Sequence, residues 1–180
     1  MNLKTIILLI VSLLAICVAV ILLKNSKLSL INDEIPSTNN KIVNQTDNSY
    51  YDTIAHYSLN FLGIENQKVI IADLSMANIS EDVVDGNVRG GLGQLGNGTY
   101  VMFLANMSKD EALTIIPHEI IHLKQFHDGY YINVDANNVI FRNNHYKLSE
   151  TEYYNRPWEI EAYDKGRILS KELRDSIVRK

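Results

Sequence analysis

The stretch 108–126 limits what this chain can fold into more than any other. Ser108 stands three residues before Glu111, the reciprocal arrangement of a capping box, in which each side chain satisfies the other's backbone N–H. Apolar residues then recur at helical spacing as far as Phe126, and Gly129 follows where a helix would stop. A long helix is expected here. Pro117 lies inside it. A mid-helix Pro removes one backbone hydrogen bond and costs about 3 kcal/mol, so a kink or short break is expected at that point.

Other elements can be read around this helix. Residues 50–62 carry a helical apolar stripe closed by Gly63, and 68–72 (KVIIA) form a short β-rich run. A Gly-rich stretch, 86–98, leads into a second β-rich run at 99–105. Gly96-Asn97-Gly98 marks a tight turn, so 92–104 is expected to be a hairpin. A second hairpin is expected from 130–134 and 139–141. A last helix should start near Pro157, a favoured first helical position, and run towards 177. The expected class is α+β: a small mixed or antiparallel sheet packed on the 108–126 helix and the C-terminal helix.

The amino-terminal part follows different rules. Residues 5–23 carry no charge and are flanked by Lys4, Lys24 and Lys27. As a helix that run spans roughly 28 Å, close to the hydrocarbon thickness of a bilayer. It is too long for a cleaved signal and lacks a small-x-small site before Lys24. Cys17 follows Ile16, which does not suit lipid attachment, and the apolar run continues past it. An uncleaved single-pass transmembrane anchor over 1–27 is therefore expected, then a polar flexible linker over 28–48 and a folded domain over 49–180. The charges on the two flanks nearly balance, so orientation rests on analogy with common signal-anchor proteins, which favours an extracytoplasmic domain. Cys17 is the sole cysteine, so the domain has neither a disulfide nor a thiolate site. A net charge of −4 without a Lys/Arg block argues against nucleic acid as a partner. Nothing in the sequence reports on oligomeric state.

The chemistry lies in His118-Glu119-Ile120-Ile121-His122. Four-residue spacing on a helix puts both imidazoles on one face, one turn apart, where two nitrogens can reach one zinc ion at ~2.0–2.1 Å. Glu119 sits beside the first ligand rather than on the metal, placed to take a proton from water that the metal has acidified. The pattern arises by chance in roughly 0.5 % of chains this long, and the bulky apolar residues around it suit a helix buried beside a cleft. A catalytic zinc needs a third protein ligand. Glu159 and Glu161, on the expected last helix, are both candidates.

These residues resemble the gluzincin group of zinc metallopeptidases, especially its very small members, over about 84–170. That group has a His-Glu-x-x-His helix and a second helix bearing a Glu ligand, often as Glu-x-x-Ala. Glu159-Ile160-Glu161-Ala162 matches this form, so the resemblance implies Glu159 as third ligand, with the small Ala162 letting the helices approach. The chain departs from the group where an Asp commonly supports a zinc-binding His: that position is Tyr163, followed by Asp164. The resemblance also implies an edge strand that binds substrate by main-chain hydrogen bonds, at 100–105 or its hairpin partner 91–95. An oxyanion stabiliser is expected among His145, Tyr146, Tyr153, Tyr154 and Arg156.

Other users of the motif fit less well. Gln125 and Asp128 stand where a metzincin has Gly and a ligand, Cys17 is far from any deformylase-like position, and Lys109, Asp110, Glu111 and Lys124 rule out an intramembrane motif helix. The expected function is zinc-dependent hydrolysis of a peptide or protein substrate, with Glu119 as general base. The alternative is a membrane-tethered binding module whose zinc site is structural or non-catalytic.

Overall fold

The computed structural model describes residues 39–74 and 89–178. The expected anchor and the first part of the expected linker lie outside them. Among the described residues no helix is long and apolar enough to cross a membrane.

Among the described residues the fold is α+β, with three helices and two small sheets. Strands β1 (Lys41–Asn44), β2 (Lys68–Asp73), β3 (Gly90–Gly96) and β4 (Thr99–Leu104) form a mixed sheet in the order β1-β2-β4-β3. β1 and β4 run parallel to β2, and β3 is antiparallel to β4. β2 is apolar on both faces. Val69 and Ile71 enter the main core, while Ile70 and Ala72 join Val43 and Val101 on the opposite face. The β3–β4 hairpin turns at Asn97 (φ 50°) and Gly98 (φ 66°), the left-handed pair that a two-residue turn of matching twist requires.

Helix α1 (Tyr50–Phe61) ends before Gly63, whose φ of 64° turns the chain so that the Ile64 N–H bonds back to the Leu59 carbonyl at 3.0 Å. Helix α2 (Lys109–His127) opens with the capping box: Glu111 N–H donates to Ser108 Oγ at 3.3 Å, and Ser108 N–H to Glu111 Oε2 at 2.9 Å. Tyr51, Ile54 and Leu59 of α1 meet Ile116, Ile120 and Leu123 of α2 over Val69, Ile71 and Met102 of the sheet. This cluster is the main core, and α2 lies across it.

β5 (Tyr131–Asn133), β6 (Asn138–Phe141) and β7 (Asn144–Lys147) form an antiparallel meander. A 3-10 turn at Tyr153–Asn155 leads into helix α3 (Pro157–Val178), which packs along α2.

Three expectations are corrected. Residues 41–44, read as linker, form β1. Asn40 pins this edge by donating to the Ile64 carbonyl at 2.6 Å and accepting from Gln67 N–H at 2.9 Å. Two apolar residues between polar ones carry little strand signal; pairing with the distant β2 makes the strand. Of the kink or short break expected at Pro117, the break does not occur: α2 is continuous through it, with Ile116 and Ile120 on either side fully buried in the core. The second hairpin also gains a third strand, β7, through a turn with Arg142 and Asn143 at φ 49° and 67°.

Candidate metal centre

His118 and His122 project from the face of α2 opposite the core-locked isoleucines, into a cleft of 1160 Å3. Their Nε2 atoms are 3.1 Å apart. Glu159, in the first turn of α3, brings Oε2 to 3.5 Å from His118 Nε2 and 3.3 Å from His122 Nε2. His118 and Glu159 are buried, at 8 % and 7 % exposure, and His122 is half-buried. Four-coordinate zinc with bonds of ~2.0–2.1 Å holds its ligand atoms roughly 3.3–3.4 Å apart, and the three observed distances bracket that spacing. A single proton could satisfy one of the three contacts. One cation among the donors satisfies all three at once. The group can therefore hold a metal ion.

Glu161 is not part of it. Its carboxylate accepts from Arg142 at 2.8 and 3.1 Å and pairs with Lys165. Two positions along a helix turn a side chain to another face.

The meander and the helix–helix contact hold these side chains in place. Trp158, next to Glu159, is 3 % exposed and ringed edge-on by Tyr131, Phe141 and Tyr146, with centroids 5.4, 6.0 and 5.6 Å away. This clamp sets where α3 starts and so where Glu159 points. Ala162 is fully buried, and Gly166 one turn on allows the closest approach: a methyl there would stand 3.1 Å from His118 Cα. Gly90 of β3 does the same for the other wall, since a methyl would come within 2.9 Å of Glu119 Oε1 and 2.8 Å of Ile115 Cγ2.

Electrostatics separate the two buried carboxyls. Burial pushes Glu119 above the usual carboxylate range, against the lowering pull of His122 and His118. Burial also acts on Glu159, but hydrogen bonds from His118 and His122, with Tyr153 adding its own, hold that carboxyl far below its ordinary value. For His122, burial disfavours the charged form, yet Glu159 and Glu119 outweigh it and raise the pKa. Burial and the nearby Glu159 charge push the Tyr131 phenol up to about 12.

Of the expected oxyanion candidates, Tyr153 and Tyr154 line the cleft. The Tyr153 hydroxyl donates to Glu159 Oε2 at 2.7 Å. Tyr146 packs on Trp158, Arg156 donates to the carbonyls of Thr151 and Leu148, and His145 is exposed on β7. Tyr163, standing where Asp was expected, lays its ring 4.5 Å from that of His118. Among the described residues β4 is paired on both sides and β3 on one, so of the two candidate strands β3 offers an edge at the cleft.

Sequence reading missed Trp158, Gly90, Gly166 and Gln125. A glycine inside a helix costs about 1 kcal/mol against Ala, so Gly166, four residues after Ala162, was a readable sign of close approach. Gln125 had no comparable signal.

Comparison with protein-family models, with curated proteins and with solved structures gives no match to this chain. The functional reading therefore stands on the site's own geometry.

Proposed function

We propose that this chain is a zinc-dependent peptidase, with His118, His122 and Glu159 holding the metal and Glu119 as general base. The observation that carries it is the convergence of two imidazole nitrogens and one carboxylate oxygen at 3.1–3.5 Å on the wall of an open cleft that Glu119 also lines. Three protein donors with the remaining side open suit a catalytic site better than a structural one, which closes with four. The N,N,O donor set suits zinc.

Zinc bound there would supply Lewis acidity, polarising a carbonyl and acidifying water. The chain's own residues do the rest. Glu119, with its proton affinity raised by burial, accepts a proton from the attacking water and returns it to the leaving amine. Tyr154 stands at the cleft with a hydroxyl able to donate to a developing oxyanion, while the Tyr153 hydroxyl is engaged with Glu159. The edge of β3 at the cleft accommodates a peptide as an added strand, with Gly90 and Gly91 allowing close main-chain approach. This arrangement agrees with the resemblance to small gluzincins. The apolar run 5–23 would tether the domain to a membrane as a single pass, with the domain on the extracytoplasmic side.

Metal content tests the reading. Near one zinc per chain is expected for the wild type and for Glu161→Ala, and loss of zinc for Glu159→Ala. A folded wild type without zinc would remove the peptidase reading.

A further inference from the structure

A histidine offers Nε2 to a metal without rearrangement only when its proton sits on Nδ1. The surroundings of His122 decide which nitrogen carries it. Gln125, on the same helix, is 2 % exposed and places Oε1 2.9 Å from His122 Nδ1. Its Nε2 stands 2.9 Å from the Trp158 carbonyl oxygen. That carbonyl can only accept, so the amide's NH2 end must face it. Oε1 is then turned to His122, and as an acceptor it takes the Nδ1–H. The polarity of the pair of bonds is thereby set: His122 donates to Gln125, and Gln125 donates to Trp158. In the neutral ring, His122 Nε2 is left with a lone pair directed at His118 and Glu159; only the charged ring donates from Nε2 to Glu159 as well.

The same amide bridges the two halves of the site. Gln125 lies on the helix that bears both imidazoles, and Trp158 immediately precedes Glu159. His118 has no such support: its Nδ1 is buried without a hydrogen-bond partner, and Tyr163 packs on its ring instead. Without Gln125, the proton of His122 could move to Nε2 and donate to Glu159 Oε2, 3.3 Å away, closing the donor set against a cation.

We infer that Gln125 is a positioning residue of the metal centre, holding His122 in its Nδ1–H form and tying it to the start of the Glu159 helix. The inference rests on the reading that the triad holds a metal.

Two measurements on the full chain test it. Zinc affinity is read by competition with a chromophoric chelator for wild type, Gln125→Met and Gln125→Glu. Imidazole 15N spectra of the metal-free proteins, taken where the rings are neutral, report the tautomer, with His122→Ala assigning the signal. Gln125→Met keeps the size and removes the acceptor. It should weaken zinc by about 10–100-fold and lose the Nδ1–H signature. Gln125→Glu keeps the acceptor for His122 and loses the bond to the Trp158 carbonyl, so it should recover the tautomer but only part of the affinity. Unchanged affinity and tautomer in Gln125→Met would overturn the inference, as would a Gln125→Glu variant that lacks the Nδ1–H signature although the acceptor is present. If the wild type binds no zinc, the metal reading itself falls. The 15N spectra would still show whether Gln125 holds the His122 tautomer.

Discussion

Glu119 and Glu159 belong to one cleft, yet their surroundings drive them apart. Glu159 receives hydrogen bonds from two imidazoles and a phenol and stays ionised; Glu119 is desolvated and holds a proton more readily. Two carboxyls with separated proton affinities suit two tasks, one as ligand and one as base. Glu119→Gln keeps the shape and removes the basicity, so zinc content should stay near wild type while cleavage of a peptide library falls to background. Retained turnover in that variant would rule out the assigned base. Gly166 is a second residue-scale test. Alanine at an ordinary interior helix position gains about 1 kcal/mol over glycine. Here the added methyl would meet the His118 backbone at 3.1 Å, and that backbone is held by Ile116 and Ile120 in the core. Gly166→Ala should thus weaken zinc binding even where helicity is unchanged, measured by chelator competition alongside circular dichroism.

At the scale of elements, the three-stranded meander acts on the site through one side chain. Val139, Phe141 and Trp158 form a core of their own, separate from the main cluster, with Tyr131 and Tyr146 packed against it. Trp158→Ala would empty that core. A loss of about 3–5 kcal/mol is expected from truncating a buried Trp, read as a lowered midpoint in denaturant. Zinc affinity should fall with it, because the start of α3 is no longer clamped. If stability drops while affinity holds, the clamp does not position Glu159. Helix α2 is the contrasting element. Its capping box, its apolar spacing and its paired histidines were all readable along the chain, because each is a local pattern within one or two turns. β1 and β7 were not readable. Both are short and polar, and both exist through pairing with strands that sequence order does not announce.

For the whole molecule, protonation and metal binding compete at one place. Glu159 has a lowered pKa in the fold, so its contribution to stability is present above its unfolded value and is lost as pH falls through the folded one. His122 has a raised pKa, so its contribution is present below about 6.5 and is lost as pH rises through the folded value. Without zinc, the ion-paired site therefore stabilises the chain most in mildly acidic solution. Zinc needs neutral imidazoles and binds more tightly as pH rises. The gap in melting temperature between zinc-loaded and chelated protein should widen from about pH 6 to about pH 8. Equal melting curves with and without chelator across that range would mean that the fold does not use a metal.

The sequence by itself determined the α+β class, the capped helix, the two imidazoles on one face and the carboxyl beside them, since all of these depend on residues close along the chain. It left two glutamates as candidates for a third donor. Only the tertiary structure separates them, turning Glu161 to Arg142 and Lys165 and Glu159 to the imidazoles, where the three side chains could hold a metal ion. It also decided which strand offers an edge at the cleft, and it brought Gln125, Trp158, Gly90 and Gly166 to the site. Those roles arise where helices and strands distant in sequence come within a few ångströms, and no local pattern encodes that proximity.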